Sequence, residues 1–203
     1  MPGPVLVVHL VPTQAALGLV QVDPVTYARE RALPALGTTL SGARLNVDGA
    51  LGVHYTGAAG TNRYSQFFRN GFFETVQVLE MDRMMPSGRV NLPSLSYEQE
   101  LITLLERFRL ELEHIGVGQE LTCMLSLTDA TSVELGIDRF RFNLAKHQGF
   151  FDRKILVLPD VLLPADLSAK QALRPLFDLV WQSAGLGGSN NYNEAGEWAP
   201  RGY

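Results

Sequence analysis

Residues Tyr64 to Met81, YSQFFRNGFFETVQVLEM, read as two β-strands folded back on each other at Asn70-Gly71. Asn-Gly is the pair favoured in a two-residue type I′ turn, because both central positions need positive φ, and aromatic and β-branched residues flank it on either side. With Asn70 and Gly71 as the loop, Arg69 faces Phe72, Phe68 faces Phe73, Phe67 faces Glu74, Gln66 faces Thr75 and Ser65 faces Val76. Alternation of side chains then collects Ser65, Phe67, Arg69, Phe72, Glu74, Val76 and Val78 on one face, which we expect to be the core face. Tyr64, Gln66, Phe68, Phe73, Thr75, Gln77 and Leu79 fall on the other. The tip carries rings on both faces, each worth roughly 1.5–3 kcal/mol if buried. Phe67, Phe68, Phe72 and Phe73 are therefore the candidate interface, covered either by helices of the same chain or by a homodimer contact.

Working outward, Ala50 to Tyr55 alternates weakly as a third strand, joined to the hairpin by the loop Gly57-Ala-Ala-Gly60-Thr-Asn, which makes an antiparallel meander. Pro4 to Val11 is a short β-branched run that includes His9 and reads as a strand buried on both faces. Asp23-Pro24 opens a short helix that Pro34 stops, and Leu36 to Gly49 is small and polar. Downstream, Ser96 and Gln99 have capping-box spacing, and Tyr97, Leu101, Leu104, Leu105, Phe108, Leu112 and Ile115 recur at three and four before Gly116. This amphipathic helix, with Glu106, Arg107, Glu111 and Glu113 opposite, is expected to lie on the meander. Glu120 to Leu127 puts Leu121, Cys123, Leu125 and Leu127 on one side and pairs with Val133 to Phe140 as a second hairpin. After the more basic stretch Arg139 to Arg153, Ile155 to Leu158 reads as a buried strand bounded by Pro159. A terminal helix runs from about Ser168 to Ala184 and is expected to break near Arg174, because Pro175 inside a helix costs about 3 kcal/mol. The Gly/Asn-rich tail, about 186–203, has Tyr192 and Trp198 to anchor it. The whole reads as one α+β domain over 1–203: a mainly antiparallel sheet with hairpins, packed by two main helices.

The 203 residues are 46% hydrophobic, enough for a real core, and the net charge of −4 comes with scattered Lys and Arg. That distribution offers no footprint for a phosphate backbone, so direct nucleic-acid binding is not expected. One cysteine, Cys123, excludes an internal disulfide and suits a reducing compartment, and the start MPGPVLVVHLVP lacks a basic n-region and a membrane-spanning run. We expect a cytoplasmic protein.

The chemistry is sparse. His9, His54, His114, His147 and Cys123 are too widely spaced for a local metal motif, GAAGTNR lacks the Gly-Lys-Ser/Thr ending of a P-loop, and there is no G-x-S-x-G. Nothing calls for a cofactor or a resident metal, and no catalytic residue is assigned. Cys123 reads as a small buried hydrophobe. Arg69 and Glu74 share the expected core face diagonally, as a cross-strand ion pair in preference to an anion-binding arginine. The row Tyr64, Gln66, Thr75 and Gln77 reads as a solvated sheet face, or as a row that contacts a ligand. The candidate ligand-binding set is His54, Tyr64, Gln66, Arg69 and Thr75.

In order along the chain, HLVP at His9 to Pro12, NVDG at Asn46 to Gly49, YSQFFRNG at Tyr64 to Gly71, LSL at Leu125 to Leu127, LRPLFDLVWQSAG at Leu173 to Gly185 and NYNEAGEW at Asn191 to Trp198 form a set. The set resembles the C-terminal region of bacterial proteins whose N-terminal part is a Schlafen AlbA-type domain assigned to DNA binding, many of them named as transcriptional regulators. The resemblance spans most of the chain and implies a non-enzymatic sensor, assembly or protein-interaction domain that accompanies a DNA-binding module. It carries no catalytic residues, and the AlbA-type domain itself is not in this sequence. The alternative is a small-molecule-binding or enzymatic domain with its site around His54, Tyr64 and Gln66. With no concentrated positive charge to release counterions, this chain is expected not to bind duplex DNA at physiological salt. Submicromolar, salt-steep binding in an anisotropy titration would overturn that expectation.

Overall fold

A computed structural model describes residues 3–55, 61–79, 84–137, 145 and 147–200, and the fold is α+β with a mainly antiparallel sheet. In chain order the elements are β1 (Val5–Pro12), α1 (Thr13–Ala16), α2 (Pro24–Glu30), β2 (Leu33–Ala35), β3 (Thr38–Leu40), β4 (Arg44–Leu45), β5 (Gly49–Tyr55), β6 (Thr61–Phe68), β7 (Phe73–Val78), β8 (Val90–Pro93), α3 (Ser94–His114), β9 (Leu121–Thr128), β10 (Val133–Gly136), β11 (Ile155–Val157), β12 (Val161–Leu163) and α4 (Ala169–Ser183). Eight strands form the main sheet in the order β11-β9-β1-β7-β6-β5-β4, with β12 also paired to β9.

The meander β5-β6-β7 forms as expected, but with its register moved by one residue. Phe67 pairs with Phe73, Gln66 with Glu74, Ser65 with Thr75 and Tyr64 with Val76. The turn is the cause. Phe68 N donates to Phe72 O and Gly71 N donates to Phe68 O, closing a three-residue loop of Arg69, Asn70 and Gly71 with only Gly71 at positive φ (87°). That is a type I turn followed by a left-handed glycine, the next commonest hairpin after the two-residue turn. A Cβ on Gly71 would also lie 2.6 Å from Val20 Cγ1.

A one-residue slip moves a whole strand to the other face, and here it resolves the problem of the four rings. Phe67 and Phe73 now share the core face, both almost fully buried, with Ser65 and Thr75. Phe68 and Phe72 point to the opposite face, half-exposed. The expected Arg69–Glu74 ion pair disappears for the same reason: Arg69 lies in the turn and donates to Val47 O and Asn46 O.

All the core-facing strand residues lie under the helices. Leu6, Val8 and Leu10 of β1 and Leu121, Cys123, Leu125 and Leu127 of β9 are buried there, so β1 alternates instead of being buried on both sides. From α3, Phe108 packs on Phe67 and Phe73, and Tyr27 of α2 meets Phe67 edge-on at 4.7 Å. Helix α3 begins at Ser94 without a side-chain cap, so the Ser96–Gln99 box is not used, whereas Ser168 and Gln171 form one at the start of α4. Helix α4 runs unbroken through Pro175. The cost of about 3 kcal/mol is offset by Leu173, Leu176, Phe177, Val180 and Trp181, all buried on both sides of the proline.

The second expected hairpin is not formed. Strand β9 is paired on one edge by β1 and on the other by β11 and β12. After it, Asp129 in the left-handed region and a 3-10 turn at Ala130–Ser132 lead the chain into β10, which pairs in parallel with β8. The Phe140 end of that hairpin, part of the basic stretch from Arg139 and the Gly57 to Gly60 loop lie outside the described residues. Strand β11 is an edge strand with Leu156 inward and Ile155 and Val157 exposed. Among the described residues no helix is long and apolar enough to cross a membrane.

The observed register predicts that Phe67→Ala costs about 3–5 kcal/mol of stability in urea unfolding, and Phe68→Ala less than half of that. In the two-residue register Phe68 and Phe73 would be the coupled pair. A double-mutant cycle that couples Phe68 with Phe73 and not Phe67 with Phe73 would overturn the assignment.

Candidate functional site

The outer face of the sheet is laid out by its register. One row crosses six strands as Arg44, Leu51, Gln66, Glu74, His9 and Met124, and the next runs Val53, Tyr64, Val76, Val7, Ser126 and Val157. Residues directly opposite in antiparallel strands point the same way, so each row shares one face. No described helix packs on it. A groove of about 390 Å³ lies over its β4–β7 end, lined by Arg44, Asp48, Leu51, Val53, Tyr55, Tyr64, Gln66, Phe68 and Glu74.

Polar contacts organise the groove floor. Tyr64 donates its hydroxyl to Glu74 Oε1 at 2.8 Å, and His9 Nε2 lies 2.7 Å from Glu74 Oε2. These two bonds, the one to His9 foremost, hold the Glu74 carboxyl below its ordinary 4.5 against the opposing effect of burial. Burial and the adjacent carboxylate push the Tyr64 hydroxyl up to about 12. Tyr64 is thus a fixed donor at neutral pH and Glu74 an acceptor. Gln66 is clamped by Asn46, which donates its amide to Gln66 Oε1 at 2.7 Å and also accepts from Asp48 N and Gly49 N to shape the β4–β5 turn.

Of the candidate ligand-binding set, Tyr64 and Gln66 line this groove and the other three do not. His54 sits at the exposed end of β5, its Nδ1 2.9 Å from Asn62 Oδ1. Arg69 is in the turn, and Thr75 is fully buried on the core face, bonded to Ser65 Oγ and Tyr64 O. Sequence reasoning missed Arg44 and Asp48 on the groove's lining, and His9 and Asn46, which hold the lining residues Glu74 and Gln66. Their signal was weak: His9 alternates with Val5, Val7 and Val11, a parity that marks an outward position once one face of β1 is known to be buried. Among the described residues no group of three or more His, Cys, Asp or Glu side chains could hold a metal ion. The Cys123 thiol is fully buried, which pushes it up to about 12 and leaves no thiolate for chemistry.

A second polar cluster lies behind the sheet. Glu98, fully buried on α3, accepts from Trp181 Nε1 (2.9 Å), Ser189 Oγ (2.7 Å), Asn191 Nδ2 (2.9 Å), Trp198 Nε1 (3.0 Å) and, at longer range, the Tyr97 hydroxyl (3.4 Å). Burial, the largest effect, holds its carboxyl above the ordinary value, and the bonds from Ser189, Asn191, Trp198 and Trp181 limit the rise. The cluster pins the segment 189–198, where Tyr192 pairs with Trp198 in a single bridge and the Tyr192 hydroxyl bonds Lys170 O. It is closed to solvent and has the form of a structural knot. Arg109, also buried on α3, donates to Pro164 O and Leu167 O and fixes the lead into α4.

Compared with known proteins, the chain matches no family model, no curated protein and no solved structure.

Because the folded state holds the Glu74 carboxyl below its ordinary value, that carboxylate adds stability at neutral pH which is lost as pH falls below about 4.5. Glu74→Gln is expected to be less stable than the wild type at pH 7 and to converge with it as the pH is lowered through that range. Parallel stability curves for the two proteins between pH 7 and pH 3 would contradict the assignment.

Proposed function

We propose that this chain is a non-enzymatic assembly and protein-interaction domain whose working surface is the outer face of its main sheet. The observation that carries the reading is one-sided coverage. The helices described above lie on one face, while on the other Val5, Val7, Val53 and Val78 are half-buried and Tyr55, Ile155, Val157 and Leu162 are 56–68% exposed. A mainly apolar surface of this extent, bordered by a polar row, has the character of a docking face. The resemblance to domains that accompany an AlbA-type DNA-binding module in bacterial regulators supports the same reading, as does the scattered charge. A cytoplasmic location belongs to it and is supported by a single cysteine that is free and buried.

A second reading, small-molecule binding, has one observation in its favour: the groove brings an aromatic floor to the His9–Glu74–Tyr64 contacts. It is open, and the histidine and tyrosine both serve the same carboxylate, which leaves no group placed as a nucleophile. The docking face accounts for more of the surface than the groove alone.

The experiment is to place Lys at Val53 and, separately, at Val7, both outward-pointing, and to follow association by light scattering and by co-purification from the native cells. Each variant is expected to fold as the wild type does and to lose association that the wild type shows, with itself or with another protein. Unchanged association in both variants would overturn the reading.

A further inference from the structure

We propose that the groove end of the outer face closes on a second copy of this chain, about a two-fold axis parallel to the strands above the β5–β6 boundary, with Arg44 of each protomer paired to Glu74 of the other. This rests on the outer face being a binding surface and names its partner.

The argument starts from symmetry. A two-fold contact uses the same patch on both sides, so the patch must complement itself. Such an axis reverses strand order and keeps position along the strand, placing β4 over the partner's β7 and β5 over its β6. The row Arg44–Leu51–Gln66–Glu74 is complementary to its own reverse: its opposite charges stand at the two ends, and the neutral pair Leu51 and Gln66 at the centre. The neighbouring rows behave alike. Val53 comes over the partner's Tyr64, and Phe68, half-exposed, comes over the partner's Gly49, which has no side chain to obstruct it.

The two charged groups are also in the required state. Arg44 is exposed and has no hydrogen bond or ion pair among the described residues, and it stands at the groove's rim. Glu74 accepts one bond on each oxygen, and a carboxylate has about four lone-pair sites, so each oxygen can accept another. Sheets packed face to face lie about 10 Å apart, a gap that an arginine and a glutamate meeting end to end can bridge. Arg44 and Glu74 are three strand spacings apart, about 14 Å, too far to pair within one chain. Strands β5, β6 and β7 with the two residues of β4 give a footprint of roughly 350 Å², under half of a standard interface per partner, so a reversible, weak dimer is expected instead of a permanent one.

The test is sedimentation velocity of the whole chain over about 10–500 µM, a range that brackets micromolar affinity. The wild type is expected to shift from monomer to dimer. Arg44→Glu, at an exposed side chain without partners, keeps the fold and weakens association tenfold or more by placing like charges together. Glu74→Arg, checked for folding by circular dichroism, does the same, and an equimolar mixture of the two variants recovers a heterodimer, because each then supplies the charge that the other lacks. Arg44→Glu alone decides the matter if Glu74→Arg fails to fold: a dimer of undiminished strength in that variant overturns the proposal. So does a mixture of two folded variants that stays monomeric. A monomeric wild type whose co-purification with another protein depends on Val53 assigns the face to that protein, leaving the docking reading intact and sinking the second copy.

Discussion

The contact on which the rest of this structure depends is the ring of Phe67 against three others. It meets Tyr27 at 4.7 Å, Phe108 at 5.9 Å and Phe73 at 6.2 Å, all near edge-on. The four rings come from β6, β7, α2 and α3, so one cluster fixes the hairpin register, seats the long helix on the sheet and closes the N-terminal segment over the same core. Edge-to-face pairs add about 0.5–1.5 kcal/mol each beyond burial. Neighbouring bonds depend on that placement: the Tyr27 hydroxyl donates to Glu111 Oε2, which Arg31 also holds. An Asn-Gly two-residue turn would have put Phe67 opposite Glu74. The cluster and the two-residue turn cannot both exist, and the packing of four rings outweighs the local preference of one turn.

The second constraint is a buried charge. A carboxylate taken out of water without compensation costs several kcal/mol, and Glu98 is compensated by five neutral donors in place of a cation. Three of them, Ser189, Asn191 and Trp198, come from a segment whose glycine and asparagine content reads as flexible. The cost of burying Glu98 is thus fully met only when that segment is in place, and Glu98 in turn is the acceptor that gathers three of the segment's side chains. Tyr192 and Trp198 reinforce the arrangement through Arg174 and Lys170, whose cations lie 5.3 Å and 5.2 Å from their rings.

How much of this was legible in the sequence follows from the range of the interactions. The α3 stripe, the inward set of β9 and the presence of the meander depend on local period, and they appear as read; the short helix after Asp23 also forms but ends at Glu30, ahead of the expected stop at Pro34, which lies in β2. The hairpin register, the partner of β10 and the unbroken α4 depend on which tertiary contact outweighs a local preference, and a single sequence carries no account of that competition. Glu98 had a weak signal: it shares a face with Ile102, Leu105, Arg109 and Leu112 at helical spacing, so a charge stood on the buried stripe. The groove was half legible. Tyr64 and Gln66 follow from strand parity, whereas Arg44 and Asp48 are brought to it, and His9 to its Glu74, from separate strands and turns by register alone. The expected Arg69–Glu74 pair failed with the register that had placed it.

One-sided coverage also bears on how the sheet remains a sheet. A strand face that met only water would be expected to alternate strictly between apolar inside and polar outside, and β9 comes close to this with Thr122, Ser126 and Thr128 outward. Strand β1 departs from it, with Val5, Val7 and Val11 outward and only His9 polar. An exposed valine in a central strand is not a cost in the isolated chain, because its cross-strand neighbours shade it, as the 5% exposure of Val76 shows. The cost falls at the flanks, on Tyr55, Ile155, Val157 and Leu162, where the shading neighbours run out. Apolar side chains kept at those flanks, with a fixed acceptor at Glu74 and, on β4, an exposed arginine that has no partner among the described residues, fit a face that spends part of its time covered.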